Sequence, residues 1–144
     1  MKKEPDMKRL LSLLVVMGAV GCGASLTDEE KGVVGTYEQV SGDETYRWVL
    51  LKNRSYETHF PDSGVETGTW VMQDGFHDAF GENYQRVKAK HKEVHAQDGD
   101  DYTTVFRVMP DGTLRSIAGI LENGQRMQIP GYMQDVYIKQ AGGR

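Results

Sequence analysis

From Gly35 to Lys139 apolar and polar residues alternate in short runs, and turn-forming residues break the runs at close intervals. In TYRWVLL (Thr45 to Leu51), Tyr46, Trp48 and Leu50 fall on one side, because successive strand side chains point to opposite faces. The same period runs through GTYEQV (35–40), SYETHF (55–60), VETGTWVM (65–72), YTTVFRVM (102–109), TLRSIAGIL (113–121), QRMQI (125–129) and DVYIK (135–139). Aromatic and β-branched residues fill these runs as they fill strands. Pro61-Asp62-Ser63-Gly64, Gln73-Asp74-Gly75 and Pro110-Asp111-Gly112 read as turns, and Asn123-Gly124 is a strong hairpin signal. The pattern predicts a mainly β protein, an antiparallel up-and-down meander of about eight strands that forms a small closed or partly open barrel.

Two periods compete in FGENYQRVKAKHKEVHAQ (Phe80 to Gln97). Tyr84, Val87, His91 and Val94 are spaced as on a helix, whereas Val87, Ala89 and His91 alternate. The segment is read as one short helix near 82–96.

The chain begins differently. Lys8 and Arg9 precede an apolar run from Leu10 to Gly21 that only Ser12 interrupts, which is the layout of a secretory signal with Met7 as the initiator. Spanning about 30 Å of hydrocarbon takes about 20 apolar residues, so the run is too short for a permanent transmembrane helix. Its last residues, Ala19-Val20-Gly21-Cys22, resemble the lipobox of bacterial lipoproteins. That resemblance implies a diacylated Cys22 at the start of the mature chain, anchorage in the cell envelope, and an outer-membrane destination in a Gram-negative cell because Gly23 is not Asp. Cys22 is the only cysteine, so a disulfide within the chain is excluded. The expected division is a signal peptide over 1–21, a lipidated tether over 22–31 and the barrel domain over 32–140. Thr27 and Glu30 have capping-box spacing, but no apolar face follows them, and a tether is the expected state.

Gly35-Thr36-Tyr37 stands where lipocalin-like domains open their first strand with Gly-x-Trp, and the meander that follows is similar to theirs. The resemblance implies a binding barrel. A similar short meander occurs in copper-resistance lipoproteins, whose paired cysteines this chain lacks. Tyr46, Trp48, Trp70, Phe76, Phe80, Tyr102 and Phe106 are the candidate lining of a ligand pocket, because such pockets pair apolar walls with few polar groups. In so small a barrel the side chains can instead fill the interior. Tyr46, Trp48 and Leu50, with Tyr102, Phe106 and Val108, are then the expected core, and Phe76 and Phe80 would guard an opening.

Charge narrows the function. The net charge is −4 over the chain and −6 over residues 22–144, and the one basic cluster, RVKAKHK (86–92), is short, so nucleic acid is disfavoured as a partner. His91 and His95 could share a zinc ion on a helix, but on a strand they would stand about 13 Å apart. His77-Asp78 would form a charge-stabilised pair, His59 lies beside Glu57, and Glu57 with Glu66 are two carboxylates on neighbouring strands. None of these forms a recognisable catalytic motif, so no catalytic residue, metal or cofactor is assigned. Two function classes remain. One is a non-catalytic, lipid-anchored envelope protein that holds a small apolar ligand or an envelope component in its barrel. The other is a protein-interaction or inhibitory domain with a filled barrel, meeting an envelope protein through loops such as Asp98-Gly99-Asp100-Asp101. A hydrolase or metal-binding protein comes third.

Overall fold

A computed structural model describes residues 25–99 and 101–141. Nine antiparallel strands form one sheet: β1 (Gly35–Ser41), β2 (Glu44–Leu50), β3 (Ser55–Phe60), β4 (Gly64–Phe80), β5 (Arg86–Asp98), β6 (Tyr102–Val108), β7 (Leu114–Leu121), β8 (Arg126–Gln128) and β9 (Val136–Lys139). The first seven pair in sequence order. β9 inserts between β1 and β7 and closes an eight-stranded barrel, which leaves β8 as an extra strand on the edge of β7. That edge is shared, with β9 on Leu114 and Arg115 and β8 on Ala118 to Ile120.

The alternation sets the inner face. Tyr37, Trp48, Leu50, Tyr56, Trp70, Val94, Ala96, Phe106, Leu114 and Tyr137 are buried in one cluster. Trp48 is its centre, with ring centroids 5.1 Å from Tyr56, 5.9 Å from Phe60, 4.9 Å from Phe106 and 6.5 Å from Tyr137. Most of these pairs meet edge to face, the geometry that ring quadrupoles favour. All members of the cluster lie between Leu26 and Tyr137, so the core found among the described residues is contained within residues 25–144. A second, smaller cluster, Val105, Ile117 and Ala118 with Ile120, lies on the outer face of β6 and β7, where the register shifts between Val105 and Phe106.

Three expectations are corrected. Gln73-Asp74-Gly75 is not a turn, because β4 runs on to Phe80 and pairs with β5 from Thr69↔Gln97 to Phe80↔Arg86. Asp74 and Lys92 are cross-strand partners joined at 2.6 Å, and Gly75 leaves room for side chains of β5. The helix read near 82–96 is a 3-10 turn at Glu82–Tyr84 followed by strand β5. Strand pairing wins there because it buries Val94 and Ala96 and satisfies the backbone against both β4 and β6. The stretch read as tether contains helix α1 (Asp28–Val33). Its capping box forms, with the Thr27 hydroxyl accepting from the Glu30 backbone N–H at 3.1 Å and the Glu30 carboxylate accepting from the Thr27 N–H at 2.9 Å. Arg54 holds Glu30, and Val33 supplies the apolar contact that the sequence pattern did not show. Cys22 and the rest of 1–24 lie outside the described residues, among which no helix is long and apolar enough to cross a membrane.

Candidate functional site: a cationic cleft on the outer face

β4 and β5 extend past β3 and β6 as a two-stranded ribbon, residues 73–80 and 86–92. The ribbon leans over the outer face of β6, β7 and β8 and encloses with them a cleft of about 510 Å³. Cross-strand partners share a face, and Glu93 pairs with Arg107, which in turn pairs with Arg115. Since Val94 and Phe106 point into the core, these charged neighbours point out. Arg107, Arg115 and Arg126 line the cleft together with Lys88, His77 and His91.

Glu93 ties together His91 and Arg126 of the lining. Its side chain is 3% exposed, yet it accepts hydrogen bonds from His91 Nε2 at 2.8 Å, from His95 Nε2 at 2.9 Å and from Arg126 Nη2 at 3.2 Å. Burial raises the Glu93 pKa, but the bonds from Arg126, His95 and His91 and the charge of Arg126 outweigh it and hold the carboxyl at about 2. The carboxylate fits because Gly75 lies opposite His91 and carries no side chain: a methyl group there would overlap the Glu93 carboxylate and approach His91 Nε2 to 2.7 Å.

The protons in this cluster follow from one fixed donor. Arg107 can only donate, so His77 Nε2, 3.2 Å from Arg107 Nη2, is an acceptor and the proton of His77 is on Nδ1. That Nδ1–H donates to His91 Nδ1 at 3.0 Å, and the proton of His91 is left on Nε2, where it meets Glu93. The chain Arg107, His77, His91, Glu93 is complete only with both imidazoles neutral. Desolvation, then the charge of Arg107 and the repulsion that a protonated His91 would add, push the His77 pKa below its ordinary value, in agreement with that assignment.

Positive charge remains uncompensated. Glu93 is the partner of Arg126, and Asp78 pairs with Lys88 at 3.3 Å, but among the described residues Arg107 and Arg115 have no carboxylate within ion-pair distance, Asp111 feeling the charge of Arg115 only from farther off. Their Nε atoms are buried without a hydrogen-bond acceptor. Two like charges directly opposite across a ladder are destabilising, and a buried donor without an acceptor costs about 1–3 kcal/mol. An anion placed between the guanidinium groups would relieve both terms, because a carboxylate or phosphate accepts two parallel bonds from one Arg.

The residues singled out from the sequence are dispersed. Trp48, Trp70 and Phe106 are packed against other side chains in the barrel, and Tyr46 lies partly buried at its edge, 5.5 Å from Phe60. Tyr102, expected in the core, is 43% exposed and lies over Gly119, whose missing Cβ makes space for its ring. Phe76 borders the cleft and Phe80 stands near the ribbon tip, both exposed. His77 and Asp78 do not pair with each other, because adjacent strand residues face opposite ways. For the same reason Glu57 and Glu66 cannot act as a carboxylate pair: their cross-strand partners are Thr67 and Thr58. His59 does meet Glu57 at 3.0 Å, on an open surface. Among the described residues no group of three or more His, Cys, Asp or Glu is arranged to hold a metal ion.

No protein-family model, curated protein or solved structure matches this chain. The cleft therefore has to be read from its own chemistry. Reading from sequence alone overlooked Arg107, Arg115, Arg126 and Glu93. A signal for Glu93 was present, since His91-x-Glu93-x-His95 puts the carboxylate between two imidazoles on one strand face. The arginines carried none, because they come from three strands whose register had to be known.

Proposed function

We propose that this chain is a non-catalytic, envelope-anchored binding protein whose ligand is anionic and sits in the outer cleft, with the barrel as its scaffold. The observation that carries the proposal is the pair Arg107 and Arg115, adjacent, half-buried and, among the described residues, without a carboxylate in ion-pair distance, in a chain that is acidic overall. The aromatic packing around Trp48 supports a filled barrel, which moves the ligand from the interior to the outside. A cleft of about 510 Å³ is of the size that small-molecule sites have. Anchorage through Cys22 is the second half of the proposal and rests on the apolar run and the lipobox-like residues before it. The Arg-rich cleft equally suits a carboxylate at the surface of an envelope protein, and the protein-interaction reading becomes a case of the same chemistry.

Calorimetric titration of residues 25–144 with glycerol phosphate tests the first half. Binding should be exothermic, weaken with added salt, and fall at least about tenfold in Arg115→Ala, as the loss of one charge-assisted pair implies. Binding that Arg115→Ala leaves unchanged, or none at all, would refute it. Mass spectrometry of the membrane-extracted protein tests the second half: the amino terminus should be an acylated Cys22, and an intact Gly21-Cys22 peptide with a free thiol contradicts it.

A further inference from the structure

We infer that the anion is the head group of a phospholipid, read directly from a bilayer into which the β4–β5 ribbon dips its aromatic tip. The inference rests on the anion-binding reading of the cleft and on Cys22 as the anchor.

The ribbon exposes what a soluble surface rarely exposes together. Phe76, Phe80 and Tyr84 are 61%, 75% and 87% exposed, and Phe80 and Tyr84 flank the turn at its end. Across the cleft, Tyr132 and Met133 are 89% and 60% exposed and immediately precede Gln134, which lines it. Large apolar side chains thus border a cationic cleft on two sides. Amphipathic aromatic rings favour the headgroup level of a bilayer, and Arg and Lys beside them favour anionic lipid.

Charge is segregated in the same sense. Residues 73–93 with Arg107, Arg115 and Arg126 carry seven Lys and Arg against four Asp and Glu, whereas the remainder of residues 22–144 carries six against fifteen. An anionic surface would attract the ribbon side of the molecule and repel the rest, which fixes one orientation.

The tether points to that orientation as well. α1 sits at the root of the ribbon: Glu29 meets Lys92 at 2.9 Å, and Lys92 in turn holds Asp74. From Cys22 to Asp28 the chain reaches at most about 20 Å. From Asp74 to Phe80 the ribbon also extends about 20 Å. A domain anchored at Cys22 therefore has its ribbon tip within reach of the bilayer that holds the anchor, and the mouth of the cleft beside the phosphate layer. A lipid phosphate between Arg107 and Arg115 would satisfy their free Nε donors while Phe76 contacts the glycerol and upper acyl chain.

Flotation of residues 25–144, which carry no lipid, separates this inference from the reading beneath it. The protein should float with vesicles made of equal parts phosphatidylcholine and phosphatidylglycerol and stay behind with phosphatidylcholine alone. The double variant Phe80→Ser, Tyr84→Ser should lose at least about tenfold in vesicle affinity while its glycerol phosphate binding is unchanged, since the tip side chains are exposed and touch no core residue. Glycerol phosphate binding without flotation would overturn the membrane inference, leave the anion site standing, and assign the ribbon to a soluble partner. Flotation that the double variant retains in full would overturn the role of the tip. Failure of both glycerol phosphate binding and flotation would remove the anion site itself.

Discussion

Replacing Gly75 with alanine puts a methyl group where the Glu93 carboxylate lies. At most strand positions such a change is neutral or favourable, because it reduces the freedom of the unfolded chain by about 0.4–1 kcal/mol. Here the carboxylate must leave, and with it go its bonds to His91, His95 and Arg126. Breaking a buried ion pair costs about 3–5 kcal/mol when one charge is stranded. Arg126 is 39% exposed and recovers water, so the loss falls in the lower part of that range. Set against the gain in the unfolded chain, the expected net destabilisation is about 2–3 kcal/mol. Urea denaturation of residues 25–144 at neutral pH measures it. The cause is isolated by a double-mutant cycle with Glu93→Ala, in whose background the methyl group meets only the end of the His91 ring, which can shift, so that Gly75→Ala should cost clearly less than in the native background. A cost below about 1 kcal/mol, or the same cost in both backgrounds, would show that Gly75 does not make room for Glu93.

Other expectations follow from the core and from the titrating groups. Trp48→Ala should destabilise by about 3–5 kcal/mol in the same assay, since Trp48 is the centre of the aromatic cluster, and a loss under about 1 kcal/mol would contradict a filled barrel. With its folded pKa at about 2 against an ordinary 4.5, Glu93 stabilises the fold fully above pH 4.5 and loses that contribution as pH falls towards 2. The loss should amount to about 3 kcal/mol relative to Glu93→Gln, read from melts across that window. His77, whose pKa is lowered chiefly by desolvation, adds a second loss that begins as pH falls below 6.5, and His77→Gln should abolish that step.

The barrel was legible because its information is local. Alternation in TYRWVLL placed Trp48 and Leu50 inside, and Pro110-Asp111-Gly112 and Asn123-Gly124 marked their hairpins, with Gly112 and Gly124 in the left-handed region that such turns need. Local signals misled wherever a tertiary partner decided the outcome. Gln73-Asp74-Gly75 has turn composition, but Asp74 is bound by Lys92 and Gly75 is small for the sake of Glu93. Residues 82–96 supported two periods, and only pairing with β4 and β6 selected the strand. The polar Asp28–Val33 lacks a helical apolar stripe, yet a capping box and the single buried Val33 hold it, with the Tyr37 hydroxyl donating to the Val33 carbonyl at 2.8 Å. The cleft was the least legible feature. Arg107, Arg115 and Arg126 are far apart in sequence from His77 and share a cleft with it only because an overlong hairpin leans across β6 to β8.

The central claim is that the ligand is an anion held outside the barrel by Arg107 and Arg115. The most direct test is a nitrogen–proton correlation spectrum of residues 25–144 recorded during titration with glycerol phosphate, with the Arg Nε–Hε and Trp indole signals followed together. The account predicts that the Arg107 and Arg115 Nε–Hε signals, which have no acceptor among the described residues, move downfield and saturate, while those of Trp48 and Trp70 stay in place. Saturable shifts confined to the Trp48 and Trp70 indoles, with Arg107 and Arg115 unmoved, would place the ligand inside the barrel and contradict it.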